Sequence, residues 1–187
     1  MATYTIIGGV NGVGKSSFTG TLKMRDRSLG KIIDVDKLTV LHGGDAIAGG
    51  KAAIKEIEYR IERNLSFTQE TTLSGFKTET TIRRAKEKGY EIRLFYIALD
   101  NANQSIERVA NRVKNGGHNI PTDKILHRFE KRWEDVAKIL PYCDIAEFYD
   151  NANGFEPVAE YRNGEVVPVG DRHPEWLTDF RMYLSRI

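Results

Sequence analysis

The sequence predicts an α/β protein: a three-layer α/β/α fold on a mainly parallel sheet of about five strands, with a helical lid and a C-terminal β-hairpin. Three observations carry this. Short β-branched and aromatic runs alternate with longer stretches of helical periodicity, the pattern of βα units around a parallel sheet. The run at 91–99, with Ile92, Leu94, Phe95, Tyr96 and Ile97, is apolar on both faces, as a central strand of such a sheet must be. Arg162, Asn163, Gly164 and Glu165 separate two short β-rich runs, and the Asn-Gly pair favours a hairpin turn.

In chain order, residues 4–8 read as the first strand, and a helix begins near Lys15. Residues 31–34 form the second strand, which ends in acidic residues. The segment 45–64 is helical, with Ile54, Ile57 and Ile61 at spacings of three and four. A short third strand covers 65–69, and a charged helix at 77–88 is stopped by Gly89. Beyond the central strand, 103–114 is helical until Gly116 and Gly117 break it. Pro121 opens another helix, whose apolar stripe is Leu126, Phe129, Trp133, Val136 or Ala137, and Leu140. A fifth strand at 145–149, the hairpin at 158–161 and 166–169, and a helix at 174–187 complete the chain order. Without internal repeats or a linker, residues 1–187 read as a single domain, with the lid at about 103–132 and the hairpin and last helix at about 155–187.

Composition narrows the function classes. With 40% hydrophobic and 29% charged residues the chain is an ordinary globular protein, and a net charge of +2 is too small to argue for nucleic acid. The single cysteine, Cys143, has no internal partner for a disulfide, as expected of a protein in a reducing cytoplasm. Residues 1–10 show no basic region followed by an apolar run, and no stretch approaches bilayer length, so a cytoplasmic protein without a signal peptide or membrane partner is expected.

The most specific feature is Gly9, Val10, Asn11, Gly12, Val13, Gly14, Lys15 and Ser16, which satisfies G-x-x-x-x-G-K-[ST] at every fixed position. It comes after a strand and precedes a helix, as a phosphate-binding P-loop requires. Average residue usage makes a chance match in a chain of this length on the order of 1%. Glycines let the backbone curl so that successive N–H groups face phosphate oxygens, and the helix N-terminus adds partial positive charge. Gly9, Asn11, Gly12, Val13, Gly14, Lys15, Ser16 and Ser17 are thus the expected nucleotide-binding set in a P-loop NTPase fold. Lys15 would neutralise the β- and γ-phosphates of ATP, and Ser16 would ligate Mg²⁺.

The rest of the chain excludes a transporter-type ATPase. Leu73, Ser74 and Gly75 begin like the Leu-Ser-Gly-Gly-Gln signature but continue with Phe76 and Lys77, which reads as a helix entry with Ser74 as N-cap. Instead, Ile32, Ile33, Asp34, Val35 and Asp36 end the second strand. In an extended segment, residues two apart face one side, so both carboxylates would face the crevice at the carboxyl ends of the strands. Asp36, farther out, is the candidate general base and acceptor contact, and Asp34 the candidate Mg²⁺ ligand. Glu70 and Thr72, after the third strand, are candidate acceptor contacts; Glu70 would serve equally for an Mg²⁺-bound water, and a capping role for this segment is the plain alternative. The segment 103–132 carries seven Lys and Arg against Glu107, Asp123 and Glu130. Arg108 and Arg112 share one helical face, as do Arg128 and Arg132. Such a lid would close arginines over a triphosphate, with Arg108 and Arg128 the catalytic candidates. Arg112 and His118 are further phosphate-contact candidates, and no residue stands at ligand spacing from His118 to make it a metal site. Position alone suggests Asn151 and Asn153 near the adenine.

These pieces together resemble the zeta-toxin-like P-loop kinases, especially short stand-alone members. The resemblance rests on the P-loop at 9–16, the acidic pair ending in Asp36, and Glu70 with Thr72. It also rests on Lys88, Gly89 and Tyr90 before strand four, and on Ser105, Ile106, Glu107 and Arg108 opening the lid. It implies transfer of the ATP γ-phosphoryl group to a small-molecule hydroxyl, with Asp36 as base, Lys15 and Arg108 on the phosphates and Glu70 near the acceptor. In that family the acceptor is a UDP-linked N-acetyl amino sugar, and an antitoxin protein blocks the ATP site. Asn11 stands where these toxins often have proline, and His118 where a second lid arginine is expected, with Arg112 or Arg128 as substitutes. The alternative is a regulatory module that hydrolyses ATP slowly and acts through a protein partner. Nucleic acid is disfavoured as a partner because no aromatic-interleaved basic stripe is present.

Overall fold

The computed structural model describes residues 1–25, 29–117 and 119–187. Its elements, in chain order, are β1 (Thr3–Gly8), α1 (Lys15–Arg25), β2 (Lys31–Asp34), α2 (Val35–Leu41), α3 (Ala46–Glu62), β3 (Phe67–Thr71) and α4 (Lys77–Glu87). They continue with β4 (Glu91–Ala98), α5 (Ala102–Lys114), α6 (Thr122–Ile139), β5 (Ile145–Asp150), β6 (Glu156–Arg162), β7 (Glu165–Pro168) and α7 (Glu175–Leu184). The strands form one sheet in the order β2-β3-β1-β4-β5-β6-β7. Strands β1 to β5 are parallel, and the hairpin of β6 and β7 extends the same sheet antiparallel from β5. Asn163 and Gly164 turn the hairpin with φ of 53° and 87°, the two left-handed residues that a type I′ turn needs.

Strand alternation splits the core in two. Tyr4 and Ile6 of β1 and Ile92, Leu94 and Tyr96 of β4 face the larger cluster, which α3, α4, α6 and α7 cover with Ile57, Ile82, Trp133, Trp176 and Phe180 among others. Ile7, Phe95 and Ile97 face the other way, against Phe18 and Leu22 of α1. Helices on both faces bury both sides of β1 and β4, which is why these strands read as continuous apolar runs.

Four local expectations are corrected. The third strand lies two residues later than 65–69, because pairing with β1 sets Phe67 opposite Tyr4. Residues 35–41 are helical. Asp34 ends β2 in an extended conformation and caps α2, accepting from the N–H groups of Asp36 at 3.0 Å and Lys37 at 3.2 Å. The N-cap of α4 is Phe76, with no side-chain cap, whereas the Ser74 hydroxyl pairs with that of Thr72 at 2.8 Å. In α6 the buried face takes Ile125, Trp133, Val136 and Ile139, and leaves Leu126 exposed.

Candidate active site

Sheet order places the site. Strand β1 is central, with β3 on one side and β4 on the other, so the loop leaving β1 stands at the point where chain connections diverge. At its start Gly9 has φ 142°, and a Cβ there would come 2.3 Å from the Ile97 carbonyl oxygen. Gly12 has φ 82°, and a Cβ there would come 2.4 Å from the carbonyl oxygen of Ser105 in α5. Only glycine lets the loop lie this close to β4 and to the lid. The first helical hydrogen bond of α1 runs from Phe18 N–H to the Gly14 carbonyl at 3.0 Å, so the amides before it stand at the open helix end.

Around this loop lies a cavity of about 470 Å³. The P-loop contributes Asn11, Gly12, Gly14, Lys15, Ser16 and Ser17; the start of α2 contributes Asp34, Val35 and Asp36. From β3 and its exit come Gln69, Glu70, Thr71 and Thr72, and from the lid helices Arg108, Val109, Arg112 and Arg128. Gly9 and Val13 lie behind this lining. The Gly9 carbonyl accepts from Lys15, and the Val13 side chain is buried in the smaller core cluster. His118 lies outside the described residues.

Internal hydrogen bonds hold Lys15, Arg128 and Arg108 at the cavity wall. Lys15 donates to the carbonyls of Gly9 at 2.8 Å and Val10 at 3.0 Å. Desolvation pushes its ammonium down to about 8, against the opposing pull of Glu70 and Asp36, while Arg128 adds to the depression. Arg128 donates to the Asn11 side-chain oxygen at 2.6 Å, tying α6 to the P-loop. Arg108 donates to the Asn151 carbonyl at 2.7 Å. The Asn151 amide in turn donates to the Val13 carbonyl at 2.8 Å. Arg132 turns away from the cavity and stacks on Phe129 and Trp133, at 3.7 and 4.2 Å from the ring centroids.

Asp36 is exposed on the first turn of α2, at the cavity wall. Asp34 is 9% exposed; Oδ1 takes the two cap hydrogen bonds and Oδ2 stands 3.4 Å from the Lys37 ammonium. Glu70 is 7% exposed; Oε2 accepts from the Ser16 hydroxyl at 2.6 Å, and Oε1 is buried with no partner. A hydroxyl whose proton is directed to a carboxylate keeps its lone pairs for a cation. Together with that orphaned oxygen, this donor set fits Mg²⁺, which takes few protein oxygens and several waters and phosphate oxygens. Among the described residues no group of three or more His, Cys, Asp or Glu could hold a metal.

Sequence reasoning missed the part played by the turn after β5. The Asn151 carbonyl anchors Arg108, and Asp150, fully buried, holds that turn through the Ala152 N–H at 3.1 Å. Asp150 also accepts from Arg172 Nε at 2.8 Å and from the Trp176 indole at 2.9 Å. An isolated Asp at a strand end carries no local signal of such partners.

Known proteins share both sequence and fold with this chain. The sequence model of the zeta toxin family matches residues 49–153, a span that begins after the P-loop. An uncharacterized protein of Haemophilus influenzae is 29% identical over 126 residues, 65% of this chain and 88% of that one. A chain of the PezAT chromosomal toxin–antitoxin system of Streptococcus pneumoniae is similar with a TM-score of 0.62 at 18% identity, over 100% of this chain and 85% of its own. The AvrRxo1-ORF1:-ORF2 complex solved with ATP gives 0.64 at 15% identity, over 100% and 76%. These two structural likenesses show a shared fold. No helix among the described residues is long and apolar enough to cross a membrane.

Proposed function

Because this chain belongs to the zeta toxin family, we propose that it is an ATP- and Mg²⁺-dependent P-loop kinase that moves the γ-phosphoryl group to a small-molecule hydroxyl. One observation carries this reading: a single cavity gathers Lys15, Asp36, Arg108 and Arg128 from four separate elements. The P-loop amides and Lys15 would hold the phosphates. Arg108 and Arg128 would turn from the Asn151 carbonyl and the Asn11 amide to the γ-phosphoryl oxygens, where charge develops. Asp36, exposed at the wall, accepts the proton of the acceptor hydroxyl as its oxygen attacks phosphorus; the bond to the bridging oxygen breaks and ADP leaves. Arg112 adds charge along the phosphates, and Thr72 contacts the acceptor. Mg²⁺, when bound beside Ser16, supplies neutralisation of the phosphate oxygens.

The acceptor proposed first is a UDP-linked N-acetyl amino sugar, and a protein antitoxin is the proposed partner, since a chain of a toxin–antitoxin system shares the fold. The test is a phospho-product assay with Mg²⁺ and ATP on UDP-linked amino sugars and a panel of small alcohols, with Lys15→Ala as blank. A phosphorylated acceptor absent from the blank supports the reading. Slow hydrolysis without any phosphorylated acceptor would overturn it. Asp36→Asn is expected to bind ATP normally while transfer falls by roughly 10²-fold or more. Unchanged turnover would remove Asp36 from the role of base.

A further inference from the structure

We propose that Asn11 acts in two directions within the nucleotide site. Its side-chain oxygen sets Arg128 of the lid in place, and its side-chain amide donates to the terminal phosphoryl group of ATP. This role rests on the kinase reading, within which it tells a triphosphate from a diphosphate. Where zeta toxins often have proline, this chain has a residue with a polar side chain, so neither contact is one that a proline could make.

The loop backbone on either side of Asn11 is seated closely, Gly9 on the Ile97 carbonyl of β4 and Gly12 on the Ser105 backbone of α5. Asn11 itself is 6% exposed, and a carboxamide so enclosed needs partners for its polar atoms. Oδ1 has one: it accepts from Arg128 Nη1 at 2.6 Å, across 117 positions of sequence. A guanidinium carries five N–H groups, so one bond to Asn11 leaves the rest for phosphate oxygens. Arg128 also stands close enough to Lys15 to oppose its charge, which puts the held guanidinium on the phosphate side of the cavity. Its turn toward the γ-phosphoryl oxygens is then a pivot about the Asn11 bond, and the buried Oδ1 is not stranded. Nδ2 supplies the second contact. Among the described residues nothing bonds it, and it is open to the cavity that Asn11 lines. With Oδ1 committed to a cation, the positive end of the amide dipole is left for an anion. Backbone N–H groups of a P-loop serve the α- and β-phosphates. A side-chain donor between Lys15 and Arg128 therefore suits the γ-phosphoryl group, where charge is greatest.

Calorimetric titration of ATP and of ADP into the full chain, each with Mg²⁺, reads both contacts without an acceptor. Asn11→Ala is expected to weaken ATP about tenfold while ADP stays within about threefold. Asn11→Asp keeps an oxygen for Arg128 but removes the donor, so the ratio of ATP to ADP affinity should fall at least as far. Arg128→Ala, made alone and together with Asn11→Ala, tests the hold on the guanidinium. Its cost in ATP affinity should be several-fold smaller in the Asn11→Ala background. Equal loss of both nucleotides in Asn11→Ala, or no loss of either, would overturn the proposal, because a side chain that only supports the loop gives no preference. Additive effects of the two substitutions would remove the hold on Arg128. Should Asn11→Ala lack the native near-ultraviolet circular dichroism, Asn11→Asp decides, and an unchanged ratio there counts against the amide donor. If the wild type binds ATP yet phosphorylates nothing, the kinase reading fails while these ratios still decide the role of Asn11. If it binds neither nucleotide, both fail.

Discussion

Asp34 ends a strand and opens a helix with one side chain. Replacing it with Ala removes both cap hydrogen bonds, and a loss of about 1 kcal/mol in urea unfolding is expected. A change within error would mean that solvent serves the two amides as well. The cap was open to sequence reading, since Asp34 precedes Val35, Leu38 and Leu41 at helical spacing. Val35, Thr39 and Val40 argue for strand at the same time, and a short helix loses that contest when only local preference is weighed. Cys143 makes a second residue-scale prediction. Burial, aided by Asp144, pushes its thiol up to about 12 against the opposing charge of Lys86, so at pH 8 the thiolate is scarce in the native protein. A chromogenic disulfide should label native protein slowly at pH 8 and unfolded protein at the rate of a free thiol. Fast native labelling would contradict a protonated, half-buried thiol.

Among elements, the seat of α5 on the P-loop is the contact that joins lid to nucleotide site. A methyl group on Gly12 would meet Ser105 backbone in a left-handed conformation, so Gly12→Ala should lower stability by roughly 1–3 kcal/mol and weaken ATP binding about tenfold. Calorimetric titration beside thermal unfolding checks both, and unchanged binding would show that α5 can withdraw freely. The lid helices were legible because periodicity and the Gly116, Gly117 break are local signals. Which face is buried was less so: Ile125 and Leu126 are both apolar neighbours, and packing against the sheet chooses Ile125. Likewise Arg132 reads as one more lid cation, yet the aromatic pair Phe129 and Trp133 claims it. The two-residue shift of β3 comes from pairing with distant β1, which no window of sequence contains.

At the scale of the whole molecule, the C-terminal segment is tied to the site through Asp150. Arg172→Leu leaves that buried carboxylate without its cation, and a loss of about 3 kcal/mol in denaturant unfolding is expected, with Arg108 less firmly held. A neutral result would mean that the Trp176 and Ala152 N–H groups suffice for the charge. The fold class, the parallel strands, the hairpin and the P-loop could all be read in the sequence, since each has a short-range signature. The tie between tail and site could not, because its members, Asp150, Arg172 and Trp176, meet only when the sheet is complete. Strand β1 shows what such distance entails during synthesis. It leaves the ribosome before the other strands, yet its partners around Phe67 and Ile92 come much later, and Arg108, Arg128 and Asn151 later still. At ribosomal speeds the P-loop waits on the order of ten seconds for the residues that enclose it. A nascent chain is therefore expected to stay inert toward nucleotide until Asn151 has emerged, and a product terminated before that point would carry the phosphate-binding motif without the residues that enclose it.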